Sequence, residues 1–212
     1  DTYTQYLDDL AGYFQVVKAE NPGKPLFILG HSMGGIITLA FTIRHQAELA
    51  GMITSGAPVD LAAVTPLLLR KLAGLLVGFL PGLPMVGLDA EGVSSDPAVQ
   101  AAYREDPLNY QGKLAVRQGV EMLALAEDAR AALPKITIPS LCMHGVEDPI
   151  VLASALDVIE QDLGAADKTI RRYAGMRHEI FNEVEKARVL ADLGDWLHVR
   201  VSQAIAPAEA AL

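Results

Sequence analysis

One cysteine in 212 residues excludes an internal disulfide. That residue, Cys142, falls in an apolar, strand-like run, where a small buried hydrophobe is expected rather than a reactive thiol. No stretch reaches the roughly 18 uninterrupted apolar residues that a membrane-crossing helix needs. The leucine-rich run after Pro66 is interrupted by Arg70 and Lys71. No Cys/His cluster has metal-ligand spacing and no glycine-rich phosphate cradle follows a strand, so no metal and no organic cofactor is expected. The 17 Lys and Arg are scattered and outnumbered by 26 Asp and Glu, for a net charge of −9. That balance leaves no nucleic-acid footprint and argues against electrostatic attachment to anionic lipid. No secretory signal is visible.

Apolar residues, by contrast, make up 51% of the chain, enough for a packed core. The mean hydropathy is positive, a hint of exposed apolar surface. Short apolar runs alternate with longer helical ones, the mark of βαβ units and a parallel sheet. Strands are expected at Leu26 to Gly30, Gly51 to Gly56, Ser140 to Gly145 and Thr169 to Tyr173. Helices are expected near Tyr3 to Glu20, Met33 to Gln46, Arg117 to Leu133, Leu152 to Leu163 and Asn182 to Ile205. The end from Pro207 reads as a frayed tail.

Gly30-His31-Ser32-Met33-Gly34 lies between the first of these strands and the second helix. A G-x-S-x-G turn in strand–turn–helix context is the arrangement that makes a serine nucleophilic. The chain must turn within about two residues, so the glycines at both ends are expected to clear space beside the serine. The N-terminus of the following helix favours negative charge there, and the Met33 N–H is an expected oxyanion donor. Such a serine needs a base, and the base an orienting acid. His178 sits in a short loop between the last strand and the C-terminal helix and is the expected base. His45 lies more than three turns along its helix, His198 deep in another, and His144 reads as a strand-end residue with a satisfied ring. Asp148, in the loop leaving the Ser140 to Gly145 strand, is the expected acid, since catalytic groups collect at the carboxyl ends of parallel strands. Glu147 and Asp60 compete for that role, and a helix cap is the plain alternative for Asp148.

Between Val59 and about Gly112 the strand–helix rhythm breaks, for longer than an ordinary connection allows. Pro66 suits a helix start and Pro81 its end. Leu68, Leu69, Leu72, Leu75, Leu76, Phe79 and Leu80 cover most of that helix, leaving Arg70, Gly74 and Gly78 as a narrow stripe. The segment is expected to cover Ser32, either packed on both sides or as a lid whose apolar face roofs an acyl tunnel and touches lipid. Substrate contacts are expected from His31, Leu68, Leu72, Leu75, Leu76 and Val151. The expected division is a core over residues 1–58 and 117–212 with a cap at 59–116.

Gly30-His31-Ser32-Met33-Gly34-Gly35, Ser55-Gly56-Ala57-Pro58, Ser95-Asp96-Pro97, Asp106-Pro107-Leu108 and His144-Gly145-x-x-Asp148 together resemble the monoacylglycerol lipases, also grouped with lysophospholipase-like and serine-aminopeptidase-like hydrolases. The resemblance runs from about Tyr3 to Leu197. It implies an α/β-hydrolase fold: a mostly parallel sheet, flanking helices and an inserted helical cap. It also implies hydrolysis of one monoacylglycerol ester bond, giving a fatty acid and glycerol, with a small lipid ester as partner. Transient membrane-surface contact through the cap follows, and a cytoplasmic or membrane-peripheral location. General carboxylesterase or lysophospholipase activity is the rival within the class; a catalytically inactive lipid-binding module is the rival outside it. A peptidase is less expected, since nothing acidic in the cap is placed for a free amino terminus.

One departure stands out. Only one helix precedes the serine turn, so the leading strands, and the loop that brings the second oxyanion donor, are expected to be missing from this sequence. Losing one such donor costs on the order of 2.7–4 kcal/mol of transition-state stabilisation.

Overall fold

The computed structural model describes residues 2–87 and 89–205, so the tail expected from Pro207 lies outside the described residues. Helix α1 (Tyr3–Glu20) leads through a turn into β1 (Phe27–His31), then α2 (Met33–His45) and β2 (Gly51–Ser55). An insert follows: α3 (Leu61–Val64), α4 (Leu67–Leu76), β3 (Pro84–Gly87), α5 (Ala90–Val93), α6 (Pro97–Glu105) and β4 (Lys113–Ala115). The chain returns through α7 (Val116–Ala132), β5 (Ser140–Gly145), α8 (Ser154–Asp162), β6 (Lys168–Tyr173) and α9 (Lys186–Ile205).

Four strands run parallel in the order β1-β2-β5-β6. The two central ones are buried along their whole length, as expected where helices cover both faces of a parallel sheet. Successive side chains point to opposite faces, and the core divides accordingly. Met52 and Cys142 face a layer built from α1, α2, α7 and α8, with Phe14, Leu39, Phe41 and Leu125. Ile53, Leu141 and Met143 face the other layer, with Tyr173, Val189 and Trp196. Burial raises the Cys142 thiol to about 11, which keeps it an inert hydrophobe. Among the described residues β1 pairs on one side only.

The insert differs from its expected outline in two ways. Beyond the one helix expected there, β3 and β4 pair antiparallel and three more helices form. Helix α4 stops at Leu76 rather than running to Pro81. Glycines at 74 and 78 are poor helix formers, and the chain leaves through turns that keep a Leu80 N–H to Leu76 O bond of 2.7 Å. The last helix also starts later than expected, at Lys186. Residues 180–182 form a 3₁₀ turn instead, and Glu183 is directed inward.

Candidate active site

Ser32 occupies the single residue between β1 and α2, with φ 54° and ψ −121°. It is the one non-glycine with positive φ among the described residues. Such a backbone costs of order 1–3 kcal/mol and persists only where its surroundings enforce it. Here the Ser32 N–H donates to Ser55 O at 2.8 Å, and the Gly35 N–H to Ser32 O at 2.8 Å. A Cβ on Gly30 would lie 2.0 Å from the Gly34 carbonyl oxygen, and one on Gly35 would lie 2.6 Å from Ala57 Cβ. Gly34 meets nothing within 4 Å. The crowding expected at the two ends of the motif therefore falls at Gly30 and Gly35. Met33 is the first residue of α2, where helix geometry leaves the N–H without an intrahelical acceptor.

His178 Nδ1 lies 2.7 Å from Asp148 Oδ2, and both residues are buried. Asp148 Oδ1 accepts from the N–H groups of Ile150 and Val151, at 2.8 and 2.9 Å. Burial alone would raise the Asp148 pKa. Hydrogen bonds from His144 and His178, the charge of His178 and the Val151 N–H more than reverse this, holding the carboxyl well below the usual range. As a carboxylate it can only accept, so His178 carries its proton on Nδ1 and leaves Nε2 free to take one. Asp148 is no helix cap, because α8 starts six residues later. The competing acids go elsewhere: exposed Glu147 accepts from Gly175 N at 3.1 Å, and Asp60 accepts from Ser154 Oγ at 2.8 Å.

The other histidines are accounted for by their contacts. His144 Nε2 contacts Val151 O at 2.9 Å and Asp148 Oδ2 at 3.2 Å. Both partners are acceptors, so Nε2 bears the hydrogen. Its Nδ1 is buried with no partner among the described residues, which corrects the expectation of a fully satisfied ring. His45 stacks on Phe41 at 4.2 Å, and His198 is exposed. His31 lies against His178, ring centroids 4.6 Å apart, with Nδ1 3.2 Å from Ser55 Oγ. Burial, with the positive charge available on His178, pushes the His31 pKa down to about 4.

The insert meets this site along α5. A Cβ on Gly92 would lie 2.9 Å from Ile150 Cγ1, and the Glu179 N–H donates to Val93 O at 2.7 Å. In Ser95-Asp96-Pro97, Asp96 caps α6 through the Ala98 N–H at 2.8 Å and Pro97 takes its first turn. Asp106 likewise turns the chain by accepting from Leu108 N at 2.8 Å. Ser95 bonds to Glu183, which is 2% exposed. Glu183 is a functional candidate that the sequence pattern did not single out, since an acid at a helix start has an ordinary explanation.

Two cavities flank the serine turn and the insert. A cleft of about 740 Å³ opens beside Met33, walled by Tyr3, Tyr6, Arg117 and Glu121. An apolar cavity of about 220 Å³ lies beneath α4, lined by Leu61, Leu69, Ala73, Val116, Val120 and Leu123. Leu114 and Met122 line both. Leu68, Leu72 and Leu75, expected at the substrate, are instead 80%, 48% and 64% exposed. Arg70 explains the reversal: it pairs with Glu127 of α7 and donates to Ala62 O at 3.2 Å, which turns its own face of α4 inward. Leu76 is half-buried and lines neither cavity. The Val151 side chain packs in the core, and only its main chain serves the acid loop.

A family model described as "Serine aminopeptidase, S33" matches residues 1–185. The monoacylglycerol lipase of Mycolicibacterium smegmatis is 32% identical over 195 residues, covering 92% of this chain and 69% of that protein. A soluble variant of monoglyceride lipase from Saccharomyces cerevisiae, solved in complex with a substrate analogue, aligns with a TM-score of 0.76 at 28% identity. That match covers 94% of this chain and 70% of the other. The monoacylglycerol lipase of Paleococcus ferrophilus shares the fold with a TM-score of 0.82 at 24% identity, covering 94% and 76%. The chain belongs to the serine aminopeptidase, S33, family of α/β-hydrolases and is a carboxylic ester hydrolase.

Proposed function

We propose that the chain hydrolyses monoacylglycerols to fatty acid and glycerol, with Ser32 as nucleophile, His178 as base and Asp148 as its orienting acid. The observation that carries this reading is the buried 2.7 Å contact between His178 Nδ1 and Asp148 Oδ2, taken with the positive φ at which Ser32 is held between β1 and α2. In this scheme His178 Nε2 takes the Ser32 Oγ proton as the oxygen attacks the ester carbonyl. The Met33 N–H bears part of the oxyanion charge. Collapse expels the glycerol alkoxide, which His178 protonates, leaving an acyl group on Ser32. His178 then deprotonates a water, and its attack releases the fatty acid and returns the proton to Ser32.

The substrate class rests on the apolar cavity beneath α4, adjacent to the cleft beside Met33, with Leu114 and Met122 lining both, and on relatives named for monoacylglycerol hydrolysis. Residues 59–116 act as a cap over a core formed by 1–58 and 117–212. The outward leucines of α4, with the exposed Lys71 among them, give the cap a largely apolar surface for transient contact with the lipid that holds the substrate, which fits a membrane-peripheral location.

Intact-mass spectrometry before and after a fluorophosphonate probe tests the mechanism. One adduct is expected, and none in Ser32→Ala. Product release from monoacylglycerol, lysophosphatidylcholine and short-chain p-nitrophenyl esters then tests the substrate class, with monoacylglycerol expected to turn over fastest. Faster turnover of lysophosphatidylcholine or of the short esters reassigns the substrate. No adduct on the folded chain, with fatty acid still bound, overturns catalysis in favour of a lipid-binding module.

A further inference from the structure

Three consecutive main-chain N–H groups around the base are tied down, one by a carboxylate further along the same loop and two by the insert. Arg177 N donates to Glu183 Oε1 at 2.8 Å, His178 N to Gly92 O at 3.5 Å and Glu179 N to Val93 O at 2.7 Å. The last two acceptors belong to α5, within the insert. The same Glu183 carboxylate reaches the insert directly: Ser95 N donates to Oε1 at 2.8 Å and Ser95 Oγ donates to Oε2. The Arg177 guanidinium closes the ring of contacts by donating to the carbonyls of Glu91 and Ser94.

A carboxylate this buried is costly unless its oxygens are fully engaged. Burial works to raise the Glu183 pKa, but hydrogen bonds from Ser95, from Arg177 N and from Ser94 outweigh it, so the group stays ionised. Its three principal donors come from only two places, the residue before His178 and the insert. Removing the charge thus frees both at once. Segment 90–95 also packs on the acid loop, through Gly92 against Ile150 and Pro149. One short stretch of the insert therefore touches the loops of both Asp148 and His178.

We propose that Glu183 is a positioning residue, a clamp between Ser95 of the insert and Arg177 of the base loop that holds the His178 ring in register with Asp148. The proposal rests on His178 being the base and adds that the insert is part of the scaffold that places it. Ser95 of the Ser95-Asp96-Pro97 motif thereby gains a role beyond turning the chain.

The test reads the clamp and the chemistry separately, on the intact chain. The downfield proton resonance of His178 Nδ1–H, assigned by its loss in Asp148→Asn, reports the register directly. Amide exchange at residues 177–179 reports the loop. In Glu183→Gln we expect the resonance to broaden or move upfield and exchange at 177–179 to speed up at least tenfold. Ser95→Ala, which keeps its main-chain N–H, should give a smaller change of the same kind, and Ser95→Thr should restore the parent values. Phosphonylation of Ser32 should slow at least tenfold in Glu183→Gln, while Trp196→Phe, which perturbs the core far from the site, keeps the parent rate and resonance. An unchanged resonance and unchanged exchange in both Glu183→Gln and Ser95→Ala overturn the clamp, whatever the activity. Absence of labelling in the parent speaks against His178 as the base and leaves the resonance and exchange measurements to decide the clamp.

Discussion

The imidazoles of His31 and His178 lie against each other at a tilt, centroids 4.6 Å apart and planes inclined at 52°. Two histidines this close cannot both be charged without strong repulsion. The cost falls on His31, which burial and its neighbour push down from 6.5 to about 4. The unfolded chain takes up a proton at this residue that the folded chain refuses. Stability is therefore complete above pH 6.5 and declines as pH falls from 6.5 toward 4, by on the order of 3 kcal/mol at most. His31→Gln should flatten that part of the curve, measured by urea unfolding at several pH values between 4 and 7. Equal slopes for parent and variant would count against the pairing. Asp148, held below the usual carboxylate range, adds its own loss only below about pH 4.

Gly56 stands where a side chain would break the site. Its φ is +59°, and a Cβ would lie 3.1 Å from His178 Cε1 and 3.2 Å from Nδ1. Both routes of accommodation are unfavourable: the backbone resists a side chain at that angle, and yielding means moving the ring off Asp148. Gly56→Ala should cost about 1 kcal/mol or more of stability and slow phosphonylation of Ser32 at least tenfold. A variant that labels at the parent rate would show that the ring tolerates displacement.

Local signals in the sequence carried far. The strand before Ser32, the two loops bearing Asp148 and His178, and the parallel sheet all follow from short-range pattern, because glycine spacing and apolar runs act on neighbouring residues. Signals that depend on distant residues did not carry. Helix α4 is apolar almost all round, so its periodicity could not say which face turns inward; the pairing of Arg70 with Glu127, 57 positions away, decides it. Strands β3 and β4 are four and three residues long and exist through their mutual pairing. Ser95 and Glu183 meet across 88 positions, and either alone reads as an ordinary residue at a helix start. His144 shows the same limit, because its unpartnered Nδ1 depends on which groups pack around it.

Asp148→Asn separates orientation from charge. In the proposed mechanism the carboxylate fixes the proton of His178 on Nδ1 and so leaves Nε2 to act as the base. An amide that presents its N–H₂ to the ring selects the opposite tautomer. By analogy with other serine triads, turnover should fall roughly 10⁴-fold while substrate binding changes little. Steady-state kinetics on a soluble ester would show a collapse in kcat with KM nearly constant. A loss confined to KM would point to a binding role for the acid loop instead.

The outward face of α4 makes the last prediction. Leu68 and Leu75 of α4 and Phe79 in the turn beyond it are 80%, 64% and 79% exposed, and Arg70 is turned toward α7, which leaves Lys71 as the exposed charge of the helix. The attraction to a lipid surface is then apolar, and a net charge of −9 opposes anionic headgroups rather than recruiting them. Burying even half of each side chain contributes roughly 1 kcal/mol. The triple variant Leu68→Ser, Leu75→Ser and Phe79→Ser should therefore bind neutral phosphatidylcholine vesicles at least 30-fold more weakly, as read by flotation. Binding of the parent should weaken when phosphatidylserine is added to the vesicles and change little between low and moderate salt on purely neutral ones, since screening acts on charge and not on apolar burial. Retention of vesicle binding by the triple variant would locate the lipid contact elsewhere on the molecule. Because none of the three side chains lines either cavity, its turnover of a dispersed short-chain ester should stay at the parent level. That isolates the interface from the chemistry.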